Sequence, residues 1–544
     1  MNRRRRGNGE GGRTLARWGL AGALALGVCV AAVPAQAPAR YDLLLRGGHV
    51  VDGTGSPWVL ADVGIIGDTI AAIAPRLDGP ASRVIDASGL VVAPGFIDIH
   101  THARRGIFDV PTADNYTRQG VTTLYEGQDG SSPLPIRGFL DRVATTRISP
   151  NFGTFIGQGS VRESVIGLID RRATPDEVER MRAVVRQGMR DGAVGLSTGL
   201  FYVPGVFTPT EEVVELAKVA GTMGGIHVSH MRNEAAQVLD SVRETIAIGE
   251  QGGLPTQVTH HKIIGVRNWG RSEDTLRLIE EARARGIDVT IDQYPYTASA
   301  TSLSALFPPW ALEGGQAAVV QRLRDPGQRA KIRTAVADNI RFDRGGGDPK
   351  NIGVSACDWN VSLAGKDLAQ IARERGLGTT VEDGADAALW IVENGGASGI
   401  FHAIGEADLE RILLCPVTMI ASDGEIPIFG KASPHPRSYG TFARVLAVYV
   451  HDRRLLRLEE AVRKMTSLPA WRLHLWDRGI LRPGMKADVA VFDADRVRDK
   501  ATYEQPHQYA DGFTHVIVNG QVVYEHGAMT AARPGRVLYG PAKQ

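Results

Sequence analysis

Short runs of apolar and β-branched residues recur along the chain, and most are followed by turn residues and a helical pattern. The eight runs are Gly95–His100, Val121–Glu126, Phe152–Gly157, Ala193–Ser197, Gly225–His230, Thr256–His261, Ile287–Asp292 and Val417–Ser422. Alternating strands and helices predict a parallel sheet, and eight such units predict a closed (β/α)8 TIM barrel, which is an α/β fold. A doubly wound open sheet is the alternative.

Two helix starts share one pattern, in which a Thr is followed directly by Pro and, three residues after the Thr, by Glu. Thr174 and Thr208 begin these two segments. The pattern predicts that the Thr caps the helix, that the Pro takes the first helical position, and that the Glu completes a capping box.

Two regions outside the barrel consist of short strand patterns separated by glycines. They are residues 41–93 and 475–544, and we expect them to meet as one small β-sandwich built from both chain ends. The barrel domain then covers residues 94–474. Its seventh and eighth strands are far apart in sequence, which predicts an inserted lid or subdomain at about residues 297–415. The run Gly345–Gly347 predicts a flexible loop within this insertion.

Residues 1–37 carry the pattern of a secretory signal peptide. Six arginines lie within the first 17 residues, the apolar run Trp18–Val33 follows, and Ala35-Gln36-Ala37 ends the segment. We therefore expect cleavage after Ala37, a secreted or periplasmic protein, and no stable membrane association afterwards. An uncleaved N-terminal anchor is the alternative, although the apolar run is short for a membrane span.

Composition and charge exclude other classes of protein. Hydrophobic residues make up 43% of the 544 residues, which is enough to bury a large core and excludes a disordered or fibrous chain. Sixty-two basic and 60 acidic residues give a net charge of +2, so no excess positive charge indicates nucleic acid binding. The predicted signal peptide holds six of the basic residues and Glu10, which leaves a mature chain with a charge near −3. Cys357 and Cys415 remain, and they have no local disulfide pattern.

Side chains that bind metals stand at the ends of four of the predicted strands. These residues are Asp98, His100, His102, His230, His260 and Asp423. The first three alternate along one strand, so their side chains point to the same side, into the barrel mouth. The active site of a (β/α)8 barrel lies at the C-terminal ends of its strands, where all six residues would converge. Imidazole nitrogen and carboxylate oxygen are ligands that zinc takes readily, so the pattern predicts a divalent metal site.

Two other histidines receive a structural interpretation. His227 lies inside the fifth strand, where a hydrogen-bonded role is the ordinary one. His261 is adjacent to His260 and therefore points to the opposite side. We expect both residues to lie outside the metal site.

Longer motifs connect the chain to a known family. Asp98-x-His100-x-His102, with His on strands five and six and Asp on strand eight, resembles the amidohydrolase superfamily. Finer motifs resemble the N-acyl-D-amino-acid deacylases, or D-aminoacylases: Ser229-His230-Met231-Arg232-Asn233-Glu234, Thr259-His260-His261-Lys262, Tyr294-Pro295-Tyr296, Ala421-Ser422-Asp423-Gly424 and His435-Pro436-Arg437. The resemblance covers the chain after the predicted signal peptide nearly end to end.

The resemblance implies one or two divalent ions, with zinc as the expected metal. It assigns one metal to His230, His260 and Asp129, and a second, weaker position to His100, His102 and Asp423. The chain departs from the family at one ligand, because Asp129 occupies the place of a cysteine in the family motif Gly-Asn-Cys-Gly. Glu126 is the alternative ligand. The exchange leaves the number and identity of the metals open.

The resemblance also implies a reaction. We expect a metal-dependent hydrolase that cleaves the amide bond of N-acyl-D-amino acids, by metal-activated hydroxide, to a carboxylate and a free D-amino acid. Asp423 would act as general base and then as general acid. Lys262, Tyr294 and Arg437 match family positions that bind the α-carboxylate of the substrate. A dipeptidase, a cyclic-amide hydrolase similar to hydantoinases or dihydroorotases, and a non-catalytic binding barrel are the alternatives.

Overall fold

The computed structural model describes residues 40–544, and the predicted signal peptide at residues 1–37 lies outside the described residues. In chain order the strands are β1 (Tyr41–Val50), β2 (Val59–Ile66), β3 (Thr69–Ala74), β4 (Ala81–Asp86), β5 (Val91–Pro94), β6 (Phe96–Asp98), β7 (Val121–Glu126), β8 (Asn151–Thr154), β9 (Ile156–Gly157), β10 (Gly195–Gly199), β11 (Ile226–His230), β12 (Thr256–Val258), β13 (Val289–Gln293), β14 (Ser299–Ser302), β15 (Ile352–Ala356), β16 (Ser398–Phe401), β17 (Thr418–Ile420), β18 (Val489–Phe492), β19 (Phe513–Val518), β20 (Gln521–Glu525) and β21 (Ala528–Met529).

The helices alternate with these strands over the middle of the chain. They are α1 (Asp114–Thr117), α2 (Ile136–Thr146), α3 (Gln158–Ile166), α4 (Pro175–Asp191), α5 (Thr210–Thr222), α6 (Val238–Gly252), α7 (Ser272–Ala284), α8 (Pro309–Leu312), α9 (Gln316–Arg324), α10 (Pro326–Phe342), α11 (Leu368–Glu374), α12 (Val381–Glu393), α13 (Glu406–Leu414), α14 (Arg437–Arg444), α15 (Leu458–Met465) and α16 (Ser467–Arg472). Helix α14 continues as a π-helix over Val445–Asp452. None of the helices between residues 40 and 544 is long and apolar enough to cross a membrane.

Nine strands form the predicted barrel, because its third strand is divided into β8 and β9. Parallel pairing runs β6-β7-β8 and then β9-β10-β11-β12-β13-β17, with Phe155 between the two halves of the third strand. The barrel closes between β17 and β6 through a parallel bridge that joins Thr101 to Gly424. There the amide of Asp423 donates to the carbonyl of His100 at 2.8 Å. The (β/α)8 fold class predicted from the sequence is confirmed.

Helix α4 shows how the barrel core is built. Thr174 and Glu177 form both hydrogen bonds of the predicted capping box. Met181, Val185 and Met189 recur every four residues on one face of the helix and are fully buried. Burial of each such side chain stabilises the fold by about 1.5–3 kcal/mol.

The second predicted capping box, at Thr208, is wrong. Helix α5 begins two residues later, with Pro209 at the cap position and no side-chain cap. The Thr208 hydroxyl instead lies 3.0 Å from the Gln158 amide nitrogen, from which it accepts a hydrogen bond. A tertiary contact thus replaces the local one that the sequence predicted.

Both chain ends join in one sheet of nine strands. Its order is β21-β20-β19-β18-β5-β1-β2-β3, and β4 pairs with β1. The two ends meet where β5 pairs antiparallel with β18. The sheet folds back on itself, so that β3 reaches the segment before β18. There the amide of Ile70 donates to the carbonyl of Met485 at 2.8 Å. The predicted small β domain is therefore present, and its two layers belong to one continuous sheet.

The end of the chain leaves this β domain and contacts the barrel. After β21 ends at Met529, the amide of Leu538 donates to the carbonyl of Phe152, and the amide of Gly540 donates to that of Gly192. These contacts lie at the N-terminal ends of barrel strands. The predicted C-terminal sandwich segment, residues 475–544, is thus about 15 residues too long.

The insertion between the seventh and eighth barrel strands has a hydrophobic core of its own. Strands β14, β16 and β15 form an antiparallel sheet, and helices α8 to α12 surround it. Ile332, Val336 and Ile340 of α10 are fully buried within this unit. Helix α13 instead packs against α7 and β17 and is the barrel helix that leads into the eighth strand. The predicted insertion boundary at residue 415 is therefore too late, because it includes α13.

Candidate metal centre

The chain that follows β6 carries His100 and His102 to the C-terminal mouth of the barrel. The His100 ring is fully buried, and the His102 side chain is 15% exposed. The Nε2 atoms of these two residues lie 3.5 and 3.0 Å from Oδ1 of Asp423, which follows β17. The structure therefore brings both ends of the barrel sheet together at one point.

Asp129 lies at the centre of the predicted ligands. Its Oδ1 atom is 3.5 Å from His100 Nε2, 3.5 Å from His230 Nδ1 and 3.4 Å from His260 Nε2. Its Oδ2 atom is 3.3 Å from His102 Nε2. Two groups of possible metal ligands result, and Asp129 belongs to both of them. A carboxylate in this position can bridge two ions.

The donor atoms fit a divalent ion. In each group the ligand atoms lie within 4.8 Å of one another. Among residues 40–544, Asp129 Oδ1 and His100 Nε2 are buried without a hydrogen-bond partner. A buried polar atom without a hydrogen-bond partner destabilises the folded protein by about 1–3 kcal/mol. A bound cation would give both atoms a partner. One group offers two imidazoles and two carboxylates, the other two imidazoles and one carboxylate, and zinc accepts both kinds of donor. The alternative ligand Glu126 points to Arg104, 3.3 Å away, and belongs to neither group.

Three of the candidate ligands have left-handed backbone conformations. The φ angles are +57° at Asp129, +34° at His260 and +52° at Asp423. Such angles are costly for residues other than glycine, by about 1–3 kcal/mol each, and cluster at functional sites. The surrounding structure holds them in place: the amide of His260, for example, donates to Asp292 Oδ1 at 2.6 Å.

Two carboxylates that the sequence interpretation did not assign orient the imidazoles from behind. Asp292 Oδ1 lies 3.4 Å from His100 Nδ1, and Glu234 Oε1 lies 3.2 Å from His260 Nδ1. Such contacts set the ring orientation and raise the basicity of a ligand histidine. Asp292 could have been identified from the sequence, because it lies at the end of a predicted strand, as the ligand histidines His230 and His260 do.

Asp98 has a different task from the histidines that follow it. Its Oδ1 atom accepts hydrogen bonds from the amides of His100 at 3.2 Å and Ser422 at 3.1 Å. The side chain therefore ties the first barrel strand to the eighth. Burial raises the pKa of this carboxyl to about 7.

Arg437, at the first position of α14, faces Asp423. Its Nη1 atom lies 2.7 Å from Asp423 Oδ2, and both side chains are at most 7% exposed. Burial favours the neutral acid, but the charges of Arg437 and His100 outweigh it and hold the pKa of Asp423 below its usual value. Tyr294 completes this side of the site: its ring lies 4.7 Å from Arg437 Cζ. The Tyr294 hydroxyl is buried and has no hydrogen-bond partner among the described residues.

A model of the amidohydrolase family matches residues 83–524. The chain belongs to this family. A D-aminoacylase of Alcaligenes xylosoxydans xylosoxydans is 36% identical over 92% of this chain and 97% of its own. A solved D-aminoacylase structure with a binuclear metal centre aligns with a TM-score of 0.79, at 35% identity over 92% of this chain and 100% of that one. The N-acyl-D-glutamate deacylase of Bordetella bronchiseptica, in complex with zinc and a phosphonate mimic of the tetrahedral intermediate, has the same TM-score, at 34% identity over 92% and 100%.

In this amidohydrolase Lys262 lies behind His260. Its Nζ atom donates to Glu234 Oε1 at 2.5 Å and contacts His260 Nδ1 at 2.8 Å and the His260 carbonyl at 2.9 Å. Glu234 and the His260 carbonyl accept two of the three N–H bonds of the ammonium group, and His260 Nδ1 remains the donor to Glu234 when Nε2 binds a metal. The part of Lys262 in binding an α-carboxylate stays a prediction from the resemblance.

The two histidines with a structural interpretation lie outside both ligand groups. His227 hydrogen-bonds to the hydroxyls of Thr198 at 3.0 Å and Thr256 at 2.8 Å. His261 hydrogen-bonds to Thr275 at 2.8 Å. Burial lowers the pKa of His227 to about 3 and that of His261 to about 4, so both rings are neutral at pH 7.

Proposed function

We propose that this amidohydrolase is a zinc-dependent deacylase that hydrolyses N-acyl-D-amino acids to a carboxylate and a free D-amino acid. One observation carries the proposal: Asp423 directs Oδ1 toward His102, at 3.0 Å, and Oδ2 toward Arg437, at 2.7 Å. The guanidinium group of Arg437, which can bind an anion, therefore lies directly beside Asp423, which is a candidate metal ligand. The relatives that share 34–36% identity over nearly their whole length include D-aminoacylase and N-acyl-D-glutamate deacylase, which supports the same reaction.

Six residues would hold the metal. They are His100, His102, Asp129, His230, His260 and Asp423. Zinc bound there supplies a Lewis acid that polarises the acyl carbonyl and lowers the pKa of water toward about 7. Asp129 contributes to both ligand groups, so the loss of this residue would affect both.

Asp423 is the group that moves the proton. Its carboxylate stays ionised at neutral pH, because its pKa is held low. It accepts one proton from the attacking water, whose oxygen forms the new bond to the acyl carbon. It then returns that proton to the amide nitrogen as the C–N bond breaks, so the D-amino acid leaves as a neutral amine. The acyl product keeps the second proton of the water as a carboxylic acid and loses it to solvent to become the carboxylate.

Arg437 and Tyr294 would hold the α-carboxylate of the substrate. A guanidinium and a phenol together form charge-assisted hydrogen bonds with a carboxylate. The unpartnered hydroxyl of Tyr294 is available for this contact. In this structure Arg437 is paired with Asp423. When a substrate binds, its α-carboxylate and Asp423 would both contact the guanidinium group of Arg437. This contact would place the scissile amide next to Asp423.

Hydrolysis assays with zinc-replete protein test the proposal. The substrates are N-acetyl-D-amino acids, the matching L-enantiomers, a D-dipeptide and a hydantoin. We expect amine release from the N-acetyl-D-amino acids above all. If no N-acetyl-D-amino acid is cleaved while the dipeptide or the hydantoin is, the deacylase proposal is wrong and one of the alternative amide hydrolases takes its place.

We further propose that the protein is exported and that residues 1–37 are removed. The support is the arrangement of the six arginines, the apolar run and Ala35-Gln36-Ala37. Expression of the full chain in a bacterial host, followed by N-terminal sequencing of the periplasmic or secreted protein, tests this. We expect Pro38 as the first residue. A membrane-bound product that keeps Arg3 to Arg6 would indicate an anchor instead.

A further inference from the structure

Arg344 is a buried cation that the proposed mechanism does not use. It follows the end of α10 in the insertion and is 5% exposed. Its Cζ atom lies 4.6 Å from the centre of the Phe201 ring and 5.6 Å from that of Phe401. Two aromatic rings therefore hold the guanidinium group in place through cation–π contacts.

Phe201 and its neighbour Tyr202 also lie beside the metal centre. The Phe201 ring stacks on His230 with 5.7 Å between the ring centres, and the Tyr202 ring lies 4.6 Å from His230. The Tyr202 hydroxyl contacts Thr301, which belongs to β14 of the insertion. Phe201 thus contacts both Arg344 and a candidate metal ligand.

The position of Arg344 is fixed by close backbone contacts. A Cβ atom at Gly265, which has a φ of +86°, would lie 2.9 Å from the carbonyl of Phe342 at the end of α10. The segment that contains Gly265 follows His260, so the end of α10 docks directly on a loop of the metal centre. After Arg344 the chain turns tightly, and the amide of Gly347 donates to the carbonyl of Ile340. The predicted glycine loop, Gly345–Gly347, contains this turn.

Arg344 forms no ion pair within 4 Å among residues 40–544, in contrast to the arginines of the preceding helix, and the carboxylate on which its charge acts is that of the adjacent Asp343. Arg329, Arg333 and Arg341 pair with Glu393, Asp386 and Glu382. The two cations of the site itself, Lys262 and Arg437, pair with Glu234 and Asp423. Arg344 thus lacks the close carboxylate that each of these other cations has, and an anionic ligand would supply such a partner.

We propose that Arg344 binds a second carboxylate of the substrate, so that the protein acts on N-acyl-D-amino acids that carry two carboxylates. This inference rests on the deacylase function proposed above and narrows its substrate class. The second carboxylate has two possible sources, an acidic D side chain, as in D-glutamate, or a dicarboxylic acyl group, as in N-succinyl compounds. Both present the same chemistry to a guanidinium group.

Binding measurements with matched ligands test Arg344 without requiring turnover. One pair is N-acetyl-D-glutamate and N-acetyl-D-glutamine, which differ in charge but hardly in shape. The other pair is N-succinyl-D-leucine and its acyl monoamide. Calorimetry gives the Kd of each for the zinc-loaded Asp423→Asn protein, which should bind these ligands without cleaving them. Arg344→Met is added to this background, with Arg341→Met as the control, because Arg341 pairs with Glu382 away from the metal centre.

We expect the charged member of at least one pair to bind about 10–100-fold more tightly than its amide, as a charge-assisted hydrogen bond implies. This difference should vanish in Arg344→Met and persist in Arg341→Met. A preference in the first pair assigns the carboxylate to the D side chain, and a preference in the second assigns it to the acyl group. Equal Kd values within both pairs, or no binding of any of the four ligands, overturn the proposal.

Kinetics separate this inference from the proposed function. The Arg344→Met change should lower kcat/KM for the preferred dicarboxylate about 10–100-fold and leave N-acetyl-D-leucine nearly unchanged. Hydrolysis of N-acetyl-D-leucine as fast as that of every dicarboxylate would contradict the role of Arg344 and leave the deacylase function intact. Hydrolysis of no N-acyl-D-amino acid would contradict the deacylase function, whereas the calorimetric comparison would still decide on Arg344.

Discussion

Asp423 and Arg437 form a buried ion pair in which Nη1 and Oδ2 are 2.7 Å apart. The predicted general base and the predicted carboxylate-binding residue are thus in direct contact before any substrate binds. Arg437 lowers the pKa of Asp423, and Asp423 holds the guanidinium group in place. Recognition of the substrate and proton transfer are therefore coupled through one contact.

Replacement of Arg437 by Ala should raise KM for N-acyl-D-amino acids about 100-fold. The change removes a charge-assisted contact to the α-carboxylate, which is worth about 2–3 kcal/mol. For substrates whose α-carboxylate is amidated, KM should rise much less. Steady-state kinetics on both substrate types measures this, and an equal loss on the two types would refute the α-carboxylate role.

Replacement of Asp423 by Asn should lower kcat by about 100- to 10,000-fold, because the amide cannot accept the proton. Asp129, His230 and His260 form a ligand group without Asp423, so at least one zinc should remain bound. Kinetics together with zinc analysis tests the two roles. A variant that keeps full activity would exclude Asp423 as the base.

Replacement of Asp129 by Ala should weaken zinc binding at both groups, since its two oxygens face all four histidines. Asp129→Cys should bind zinc more tightly than the natural chain, because a thiolate is a softer ligand for this ion. Competition with a chelator gives the affinities. Unchanged zinc affinity in Asp129→Ala would show that the carboxylate is not a ligand.

Replacement of Lys262 by Met should lower zinc affinity about 10–100-fold, as the loss of a partner behind a ligand histidine does. The physical reason is that Lys262 donates to Glu234, the carboxylate that lies behind His260 Nδ1, at 2.5 Å. Zinc affinity and KM should be measured on the same preparation. Full zinc affinity with a raised KM confined to free-acid substrates would instead support the α-carboxylate role predicted from the resemblance.

The protein should lose stability as the pH falls below about 6.5, partly because of His227 and His261. Their pKa values in the folded state are about 3 and about 4, whereas an unfolded histidine titrates near 6.5. Between these values only the unfolded state binds the proton, so the free energy of unfolding decreases with falling pH. At pH 5 each ring contributes a loss of about 2 kcal/mol.

Urea unfolding at pH 7 and pH 5 checks this, with His227→Gln as the comparison. The variant should lose less stability between the two pH values than the natural chain does. An identical pH dependence in both proteins would show that His227 is not buried in its neutral form.

The barrel could be predicted because each strand carries a local signal. A short apolar run followed by a turn identifies a strand without knowledge of its neighbours. All eight runs coincide with barrel strands, from β6 to β17. The ends of the runs therefore identified His100, the last residue of the first run, and Asp423, which follows the eighth, as residues of the barrel mouth.

The edges of the domains could not be predicted in the same way. Helix α13 has an ordinary helical sequence, and only its packing against α7 and β17 assigns it to the barrel. The last 15 residues likewise bond to Phe152 and Gly192, far away in the sequence. The packing of two distant segments depends on the complete surface of both segments. A local sequence pattern does not contain this information.

The sequence by itself determined which kinds of side chain stand at the ends of the strands, because the spacing of residues along a strand fixes the side to which they point. Only the tertiary structure decided how these side chains pair. Asp129 lies between two ligand groups, Asp423 reaches Arg437, and Arg344 forms no ion pair among the described residues. These relationships depend on strand pairing and on loop conformations, including the left-handed φ angles of Asp129 and Asp423, which bring together residues hundreds of positions apart.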